Sequence, residues 1–463
     1  MFLVNTIIPE KDAQLKSTVD KFFKNNKIGS ILKQCNFSKE KGIPCIAVFK
    51  FIFLLVFTGK NLYRTLESKC NLPFSKDTVY RFLNSSRFNW RKYLLLLSSS
   101  IIKNSLAPLT SDKRVNVLIV DDSMYSRNRS KSVELLAKVF DHVQGKYLKG
   151  FRLLTLGWSD GNTFLPVAFS LLSSEKEKNR LCGVNNSIDK ITIGYKLRKE
   201  AIKKSPAVML DMIAQALQQG IPASYVLFDS WFTYPQTLIK ILELNLHTIS
   251  MVKSMYRVYY NYNGKYLNLK DLYASLKKKR GKAKILSSVI VGIGSDENSN
   301  EIKAKIVFAR DRNRSCNWLA LISTDITLDD DEIIRIYGKR WDIEVFFKMN
   351  KSFLKLGKEF QSRSYDSMVS HTSIVFTRYI MLSIENRNNK DLRTIGGLFY
   401  LCCDELQDIQ FCEALQLIID ILKNLLREKL TLSKDIIDSI IDSFIEALPC
   451  YIKEKLVFLS CES

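Results

Sequence analysis

Histidine is nearly absent from this chain: there are three in 463 residues, His142, His247 and His371, far apart and without ligand spacing. The ten cysteines form no C-x2-C pair. Neither residue type is therefore arranged for a structural zinc site, whose ligands come at short, regular intervals. Reduced thiols in a cytosol account for the cysteines more simply than a disulfide framework does. No apolar run reaches the ~20 residues that a membrane span requires. The longest, Cys45 to Gly59, is interrupted by Lys50 and reads as a buried helix. Met1 to Lys11 begins apolar but lacks the basic flank and apolar core of an export signal. These absences lead us to expect a cytoplasmic protein with no membrane partner. Acids are also scarce relative to bases: 47 Asp and Glu against 70 Lys and Arg, a net charge of +23. Such an excess implies a large polyanionic partner, nucleic acid before an anionic membrane surface.

What the chain does have is ample core material, 46% hydrophobic residues, and no low-complexity segment. Residues 10 to 108 carry apolar side chains at helical spacing, over Ala13–Asn26, Ile28–Cys35, Ile43–Thr58, Leu62–Ser68 and Trp90–Ser105. Within this block Ser75 caps a short helix whose Val79, Phe82 and Leu83 face inward, which leaves Lys76, Thr78, Tyr80 and Arg81 to face outward. Such a short basic helix resembles a helix-turn-helix recognition element.

After Pro108 the pattern changes. Arg114 to Val120 is a β-branched run of the kind found in a strand buried on both faces, ending at Asp121-Asp122-Ser123. Leu153–Trp158 and Thr163–Phe169 flank the turn residues Ser159-Asp160-Gly161-Asn162 and predict a hairpin. Leu171 to Pro206 is polar, with nine Lys or Arg against four acids, and reads as a long loop with a short helix near Lys196–Lys204. Its charge suits a DNA backbone, and a disordered insertion would look the same. Helix Ala207–Gln218 and strand Tyr225–Phe228 follow, the strand ending at Asp229. Then come helix Tyr234–Leu244 and strand His247–Val252. An acid at the carboxyl end of a central strand points into the crevice where α/β folds hold ligands.

Residues 254 to 316 interrupt this alternation with Tyr256, Tyr259, Tyr260, Tyr262 and Tyr266 around an Asn263-Gly264 turn, then the cations Lys277 to Arg280, Lys282 and Lys284. Interleaved rings and cations suit nucleic acid, by stacking and phosphate neutralisation. Ala304–Ala309 and Trp318–Ser323 read as two more strands. The stretch Asp331 to Phe360 then reads as one long helix with Asp329 to Glu332 in its opening turn, where the helix dipole favours negative charge. Tyr337, Arg340, Glu344 and Lys351 fall on it within an arc of about 60° at ~100° per residue. One face thus presents a phenol, a guanidinium, a carboxylate and an ammonium, a set suited to a metal ion flanked by phosphates. From His371 onward the chain is helical, and Cys402, Cys403 and Cys412 read as small core residues.

Asp122 and Asp229 ending central strands, with Glu344 on a following helix, lead to an α/β expectation. The catalytic domain would be ribonuclease H-like, with an inserted β-rich segment, between helical N- and C-terminal regions. The divisions expected are 1–110 for a helical DNA-binding domain, 111–253 with 317–365 for the catalytic domain, 254–316 for the insertion and 366–463 for the C-terminal helices. Three converging carboxylates repel one another unless cations share the charge. Oxygen ligands and few histidines favour Mg2+ or Mn2+, and two such ions suit an in-line phosphoryl displacement.

The spacing Y-x2-R-x3-E-x6-K, met by Tyr337, Arg340, Glu344 and Lys351, resembles the signature of the DDE transposases of the insertion sequence 4 type. Val120-Asp121-Asp122-Ser123 and Leu227-Phe228-Asp229-Ser230 look like that family's two aspartate motifs. The likeness covers roughly residues 114 to 385. It implies that Asp122, Asp229 and Glu344 hold the metals, Asp122 being preferred to Asp121 because the family motif sets its acid just before a hydroxyl residue, here Ser123. It implies that Tyr337, Arg340 and Lys351 grip DNA phosphates, and that Trp341 matches an aromatic of similar enzymes. Trp318 resembles the residue that stacks a flipped base during hairpin formation, although a core tryptophan would fit the position as well. The activity implied is cut-and-paste transposition of double-stranded DNA, acting on transposon ends and target by a homodimer associated with a bacterial nucleoid. The alternatives are a ribonuclease H-like DNA nuclease without strand transfer and an inactive DNA-binding regulator of transposition.

Overall fold

The computed structural model describes residues 18–39, 41–59, 62–67, 74–109, 114–141, 144–185, 187–255, 257–279, 283–295, 299–311, 317–359, 362–388, 394–430, 433–449 and 452. The expectations for Met1 to Lys11, the start of the first helix at Ala13, and His142, Tyr256, Arg280, Lys282 and the side chain of Cys412 lie outside what is described.

Among the described residues six α-helices come first: α1 (Thr18–Asn25), α2 (Ile28–Gln34), α3 (Cys45–Leu54), α4 (Leu62–Glu67), α5 (Lys76–Leu83) and α6 (Trp90–Ile101). Their apolar faces meet in an aromatic cluster in which Phe37 stacks on Phe88 at 4.3 Å and meets Trp90 edge-on at 4.6 Å. The apolar run Cys45–Leu54, broken only by Lys50, is buried along one face by this cluster, which is why so greasy a helix needs no bilayer. Among the described residues no helix is long and apolar enough to cross a membrane.

A mixed sheet follows, with strands β1 (Val117–Ser126), β2 (Ala137–Asp141), β3 (Lys146–Ser159), β4 (Phe164–Leu172), β5 (Tyr225–Phe228), β6 (His247–Val252), β7 (Tyr260–Tyr262), β8 (Lys265–Leu267), β9 (Ile285–Ser295), β10 (Glu301–Arg310) and β11 (Trp318–Ser323). The order is β2-β3-β1-β5-β6-β11-β10-β9-β7-β8, with β4 also on β3. β1, β5 and β6 run parallel and the other pairings are antiparallel. Helices α7 (Ile193–Ala201), α8 (Ser205–Gln218), α9 (Pro235–Leu242) and α10 (Leu269–Ser275) lie between strands. All nine residues of β4 are buried, because α6 and α8 pack against it.

The expected hairpin is β3–β4, and the Asn263-Gly264 turn joins β7 to β8 with both residues at positive φ, 49° and 75°, as a tight two-residue hairpin demands. Three expectations change. The strand entered at Val117 does not stop at the acids but continues to Ser126, because β3 pairs with it over its whole length. The stretch from Leu171 to Pro206 is no free basic loop: Arg198, 2% exposed, pairs with Glu134 at 2.6 Å and Asp366 at 2.8 Å. Glu200 there pairs with Arg91 at 2.5 Å. The long helix is two, α11 (Asp330–Gly338) and α12 (Trp341–Ser352). Lys339 Nζ donates to the Val115 carbonyl at 2.5 Å and Asp342 accepts from Ser159 Oγ at 2.7 Å, which pins the junction to the sheet, while the backbone stays right-handed there and tightens to bonds three residues apart, Lys339 N to the Ile336 carbonyl and Arg340 N to that of Tyr337.

Among the described residues three helices come last, α13 (Tyr365–Asn388), α14 (Ile395–Leu430) and α15 (Lys434–Ala447). One apolar core runs from α1 through the sheet to α13 and the first turns of α14, taking in Cys402 as buried and Cys403 as half-buried. A buried group, Arg378 with Glu359 at 2.9 Å and His371 with Glu359 at 3.0 Å, sits within it.

Candidate active site

The site begins with strand register. β1 and β5 pair in parallel from Val117 opposite Tyr225 to Val120 opposite Phe228. The next residue on each strand is an acid, Asp121 and Asp229. Asp229 also caps the short turn at Ser230–Phe232, its Oδ1 accepting from the Ser230 amide at 2.6 Å. Side chains alternate along a strand, so Asp121 and Ser123 share one face of β1 while Asp122 takes the other.

The α12 face meets the first of these. Arg340 Nη2 donates to Glu344 Oε1 at 2.5 Å, and its Nη1 lies 3.4 Å from Asp121 Oδ2. About two turns further on from Glu344, Lys351 Nζ donates to Ser123 Oγ at 2.5 Å. Tyr337, at the end of α11, stands beside Arg340 with its ring centre 5.8 Å from the guanidinium. The structure therefore brings Tyr337, Arg340, Glu344 and Lys351 together along β1 although the helix carrying them is broken. Of the two adjacent acids it is Asp121 that joins them. Asp122 instead pairs with Arg152 of β3 at 3.2 Å, and that guanidinium lies 5.4 Å from the centre of the Trp231 ring, two residues past Asp229. Arg152 and Trp231 were not singled out from sequence, and Ser123 only as the hydroxyl residue that follows Asp122. Only the period-two alternation of β1 could have signalled the split between Asp121 and Asp122, and it required knowing that the strand continued.

Electrostatics mark the same place. Burial pushes the Asp121 carboxyl up to about 7; Arg340 pulls it down, while the nearby Asp122 and Asp229 charges raise it further. Burial likewise lowers Lys351 and raises the Tyr337 phenol. An acid raised in this way by burial and by its acidic neighbours needs another cation to stay ionised. The donors at hand are carboxylate oxygens, the chemistry of Mg2+ or Mn2+ rather than zinc. Among the described residues no three His, Cys, Asp or Glu side chains stand close enough to form a ready cage, and Glu344 is held by Arg340 instead. The residues thus fit such an ion by chemistry, with the arginine at present supplying the positive charge.

The remaining expected residues are dispersed. Trp318, half-buried on β11, lies tilted against Tyr273 at 4.7 Å and meets Phe308 edge-on at 5.2 Å, three strands from β1 in the sheet. Trp341 is 63% exposed at the start of α12. Lys76 and Arg81 are exposed on α5, with Val79, Phe82 and Leu83 buried beneath them.

The chain matches the DDE superfamily endonuclease family over residues 53–268 and the transposase DDE domain family over residues 191–381. The first span contains Asp121 and Asp122, the second contains Tyr337, Arg340, Glu344 and Lys351, and both contain Asp229. No curated protein matches the chain. The two matches support a DDE transposase, an enzyme of nuclease and transposase type with DNA as the implied substrate, and the mixed sheet with its many helices is consistent with a DDE nuclease fold.

Proposed function

We propose that this chain is a cut-and-paste transposase of the insertion sequence 4 type. It binds the terminal inverted repeats of its element, hydrolyses a phosphodiester at each end and joins the freed 3′-hydroxyl to target DNA. The observation that carries the reading is Arg340 drawing together Asp121 and Glu344 where Asp229 leaves the neighbouring parallel strand. The strand order β4-β3-β1-β5-β6, three antiparallel strands followed by two parallel ones, supports a ribonuclease H-like core. We divide the chain into DNA-binding helices (1–110), that core (111–253 and 317–365), a β-rich insertion (254–316) and C-terminal helices (366–463).

Asp121, Asp229 and Glu344 would hold two Mg2+ or Mn2+ ions. Asp122, one residue on, is assigned the role of fixing Arg152 upon Trp231. Two bound ions of this kind lower the pKa of an attacking water and stabilise the leaving oxygen. The protein's own part is positioning. With Asp121 and Glu344 holding a metal, the Arg340 fork would be available for a phosphate, which guanidinium groups bind in a bidentate manner. The Tyr337 ring backs that guanidinium. Lys351, its charge made costly by burial, gains most from a phosphate laid beside Ser123. Lys76 and Arg81 supply phosphate contacts outside the core, and two chains act together because both ends must be cut.

The test incubates the purified chain, alone and as Glu344→Gln, with Mg2+ and a plasmid carrying its own element ends. Excision that needs both ends and is lost in the variant supports the proposal. Binding without cleavage in Mg2+ and in Mn2+ points to a regulator of transposition, and equal cutting of a plasmid lacking the ends points to a nuclease without strand transfer.

A further inference from the structure

Away from the carboxylates, a cavity of about 380 Å3 opens beside the start of β1, walled by Arg114, by the β3–β4 turn and by Arg335, Lys339 and Asp342 of the α11–α12 junction. The acids around it are engaged inside the fold. Asp160 Oδ1 accepts from the Asn162 and Thr163 amides at 2.9 and 2.8 Å, and its Oδ2 from Arg387 at 3.0 Å. Asp342 is held by Ser159. The Asn162 side chain, its oxygen turned to the guanidinium groups, accepts from Arg114 at 3.0 Å and Arg387 at 3.1 Å. Gly161 sits at a φ of +91°, and a Cβ there would stand 3.1 Å from the Lys339 chain, so the bare turn leaves that lysine room to lie over it. What is left facing the cavity is mostly positive. Arg114, 39% exposed, lies 3.8 Å from Asp160, beyond hydrogen-bond reach. Arg335, 55% exposed, is turned to Glu332 on its own helix, a surface pair of small worth. Lys339 donates to the carbonyls of Val115 and Asp160, and burial together with the Arg335 charge lowers its pKa.

We propose that this cavity is a second phosphate site, separate from the catalytic one, and that the DNA duplex at the acids supplies the phosphate to Arg114, Arg335 and Lys339. Lys339 reaches Val115 while Arg340, next in the chain, reaches Asp121. Val115 and Asp121 are six residues apart, at most about 20 Å of extended chain. Phosphates follow every ~3.4 Å along the axis of each DNA strand, so a duplex cut at the acids brings one to the cavity within about six base pairs. Two guanidinium forks and an ammonium suit that group. On binding, Arg335 exchanges Glu332 for the phosphate. Because Lys339 pins the junction that carries Arg340, these three are positioning residues: they set where along the duplex the acids act. The place of the DNA rests on the proposed function, whereas the crowding of cations does not.

The experiment uses the full chain without metal, and duplexes carrying its element end in which one phosphate at a time is replaced by an uncharged methylphosphonate. Fluorescence anisotropy should find one position near the cut where the replacement weakens wild-type binding about tenfold, the strength of one charge-assisted contact. Arg335→Gln and Arg114→Gln, both at exposed positions, should each weaken binding of the unmodified duplex and lower the slope of log affinity against log salt by roughly 1. Each should also remove the penalty at that one position alone. Glu332→Gln, which releases the Arg335 fork, should tighten binding, an effect that the loss of a merely structural ion pair does not produce. A second arm titrates inorganic phosphate and follows its phosphorus-31 linewidth, which the wild type should broaden more than Arg114→Gln/Arg335→Gln does. That difference without coupling to any position in the duplex overturns DNA as the source and leaves a site for free phosphate compounds. Neither effect overturns the site itself. Neither arm involves cleavage: excision without coupling sinks this site alone, and coupling without excision sinks the transposase reading alone.

Discussion

Asp121 and Asp229 stand side by side, each one residue past Val120 and Phe228, the last positions at which two neighbouring parallel strands pair; β5 ends there while β1 runs on along β3. This neighbourhood, together with the Arg340 contact at 3.4 Å, separates Asp121 from Asp122 although the two are adjacent in the chain. Asp121→Asn should therefore abolish end cleavage by ~10³-fold or more, equivalent to about 4 kcal/mol of transition-state stabilisation. Asp122→Asn should leave measurable cleavage and disturb Arg152 instead. Single-turnover cleavage of end-bearing DNA distinguishes them. The opposite ranking would return the metal role to Asp122.

Arg340→Gln removes the positive charge now shared by Asp121 and Glu344 and, in the proposed complex, one phosphate contact. End-DNA affinity should fall, and the slope of log affinity against log salt should shrink by roughly 1. Titrations at several salt concentrations read both. An unchanged slope would mean that Arg340 serves only to neutralise the acids.

Trp318 packs against Tyr273 and Phe308. Trp318→Ala should chiefly destabilise, by about 2–3 kcal/mol, a little less than a fully buried aromatic truncation. The denaturant midpoint checks this. A hairpin intermediate that disappears while the midpoint stays in place would assign the ring to the DNA instead.

Glu359 lies buried between Arg378 and His371, and Arg378 holds its carboxyl down at about 2 against the opposing effect of burial. A carboxylate depressed in the folded state lends stability that is complete above its ordinary value near 4.5 and is lost as pH falls toward 2. Burial lowers His371 as well, so the unfolded chain takes up that proton first and stability declines below about 6.5. Both effects have the same sign: the melting temperature should drop steadily from pH 7 to pH 4. Glu359→Gln should cost about 3–5 kcal/mol at neutral pH by stranding a buried arginine, and should flatten the part of that profile near pH 4.5.

Much of this was legible in the sequence where a single periodicity was strong. Tyr225–Phe228 and His247–Val252 appear at their expected bounds, because short β-branched runs between turn residues have few other solutions. The clustering of Arg340, Glu344 and Lys351 followed from helical spacing alone. The break at Lys339 did not, because it depends on hydrogen bonds to Val115 and Ser159, which are distant in the chain. Strands β2 and β9 were missed for a related reason: their Lys and Ser residues blur the alternation, and what holds them is pairing with β3 and β10. Likewise Arg198 and Glu200 look like loop charges until their partners Glu134, Asp366 and Arg91 are brought near by the fold.

Strand β4, buried along its whole length, has α6 on it, with Ser98 donating to the Pro166 carbonyl and Arg91 to that of Phe169. The N-terminal helices are therefore a wall of the sheet's core and no detachable module. Exchanging them wholesale between related chains would leave an apolar sheet face bare, so a lineage built this way has no seam at which to swap them. On the proposed DNA-binding role, their contacts would change one outward side chain at a time, at positions such as Lys76 and Arg81, while the surface beneath them stays fixed.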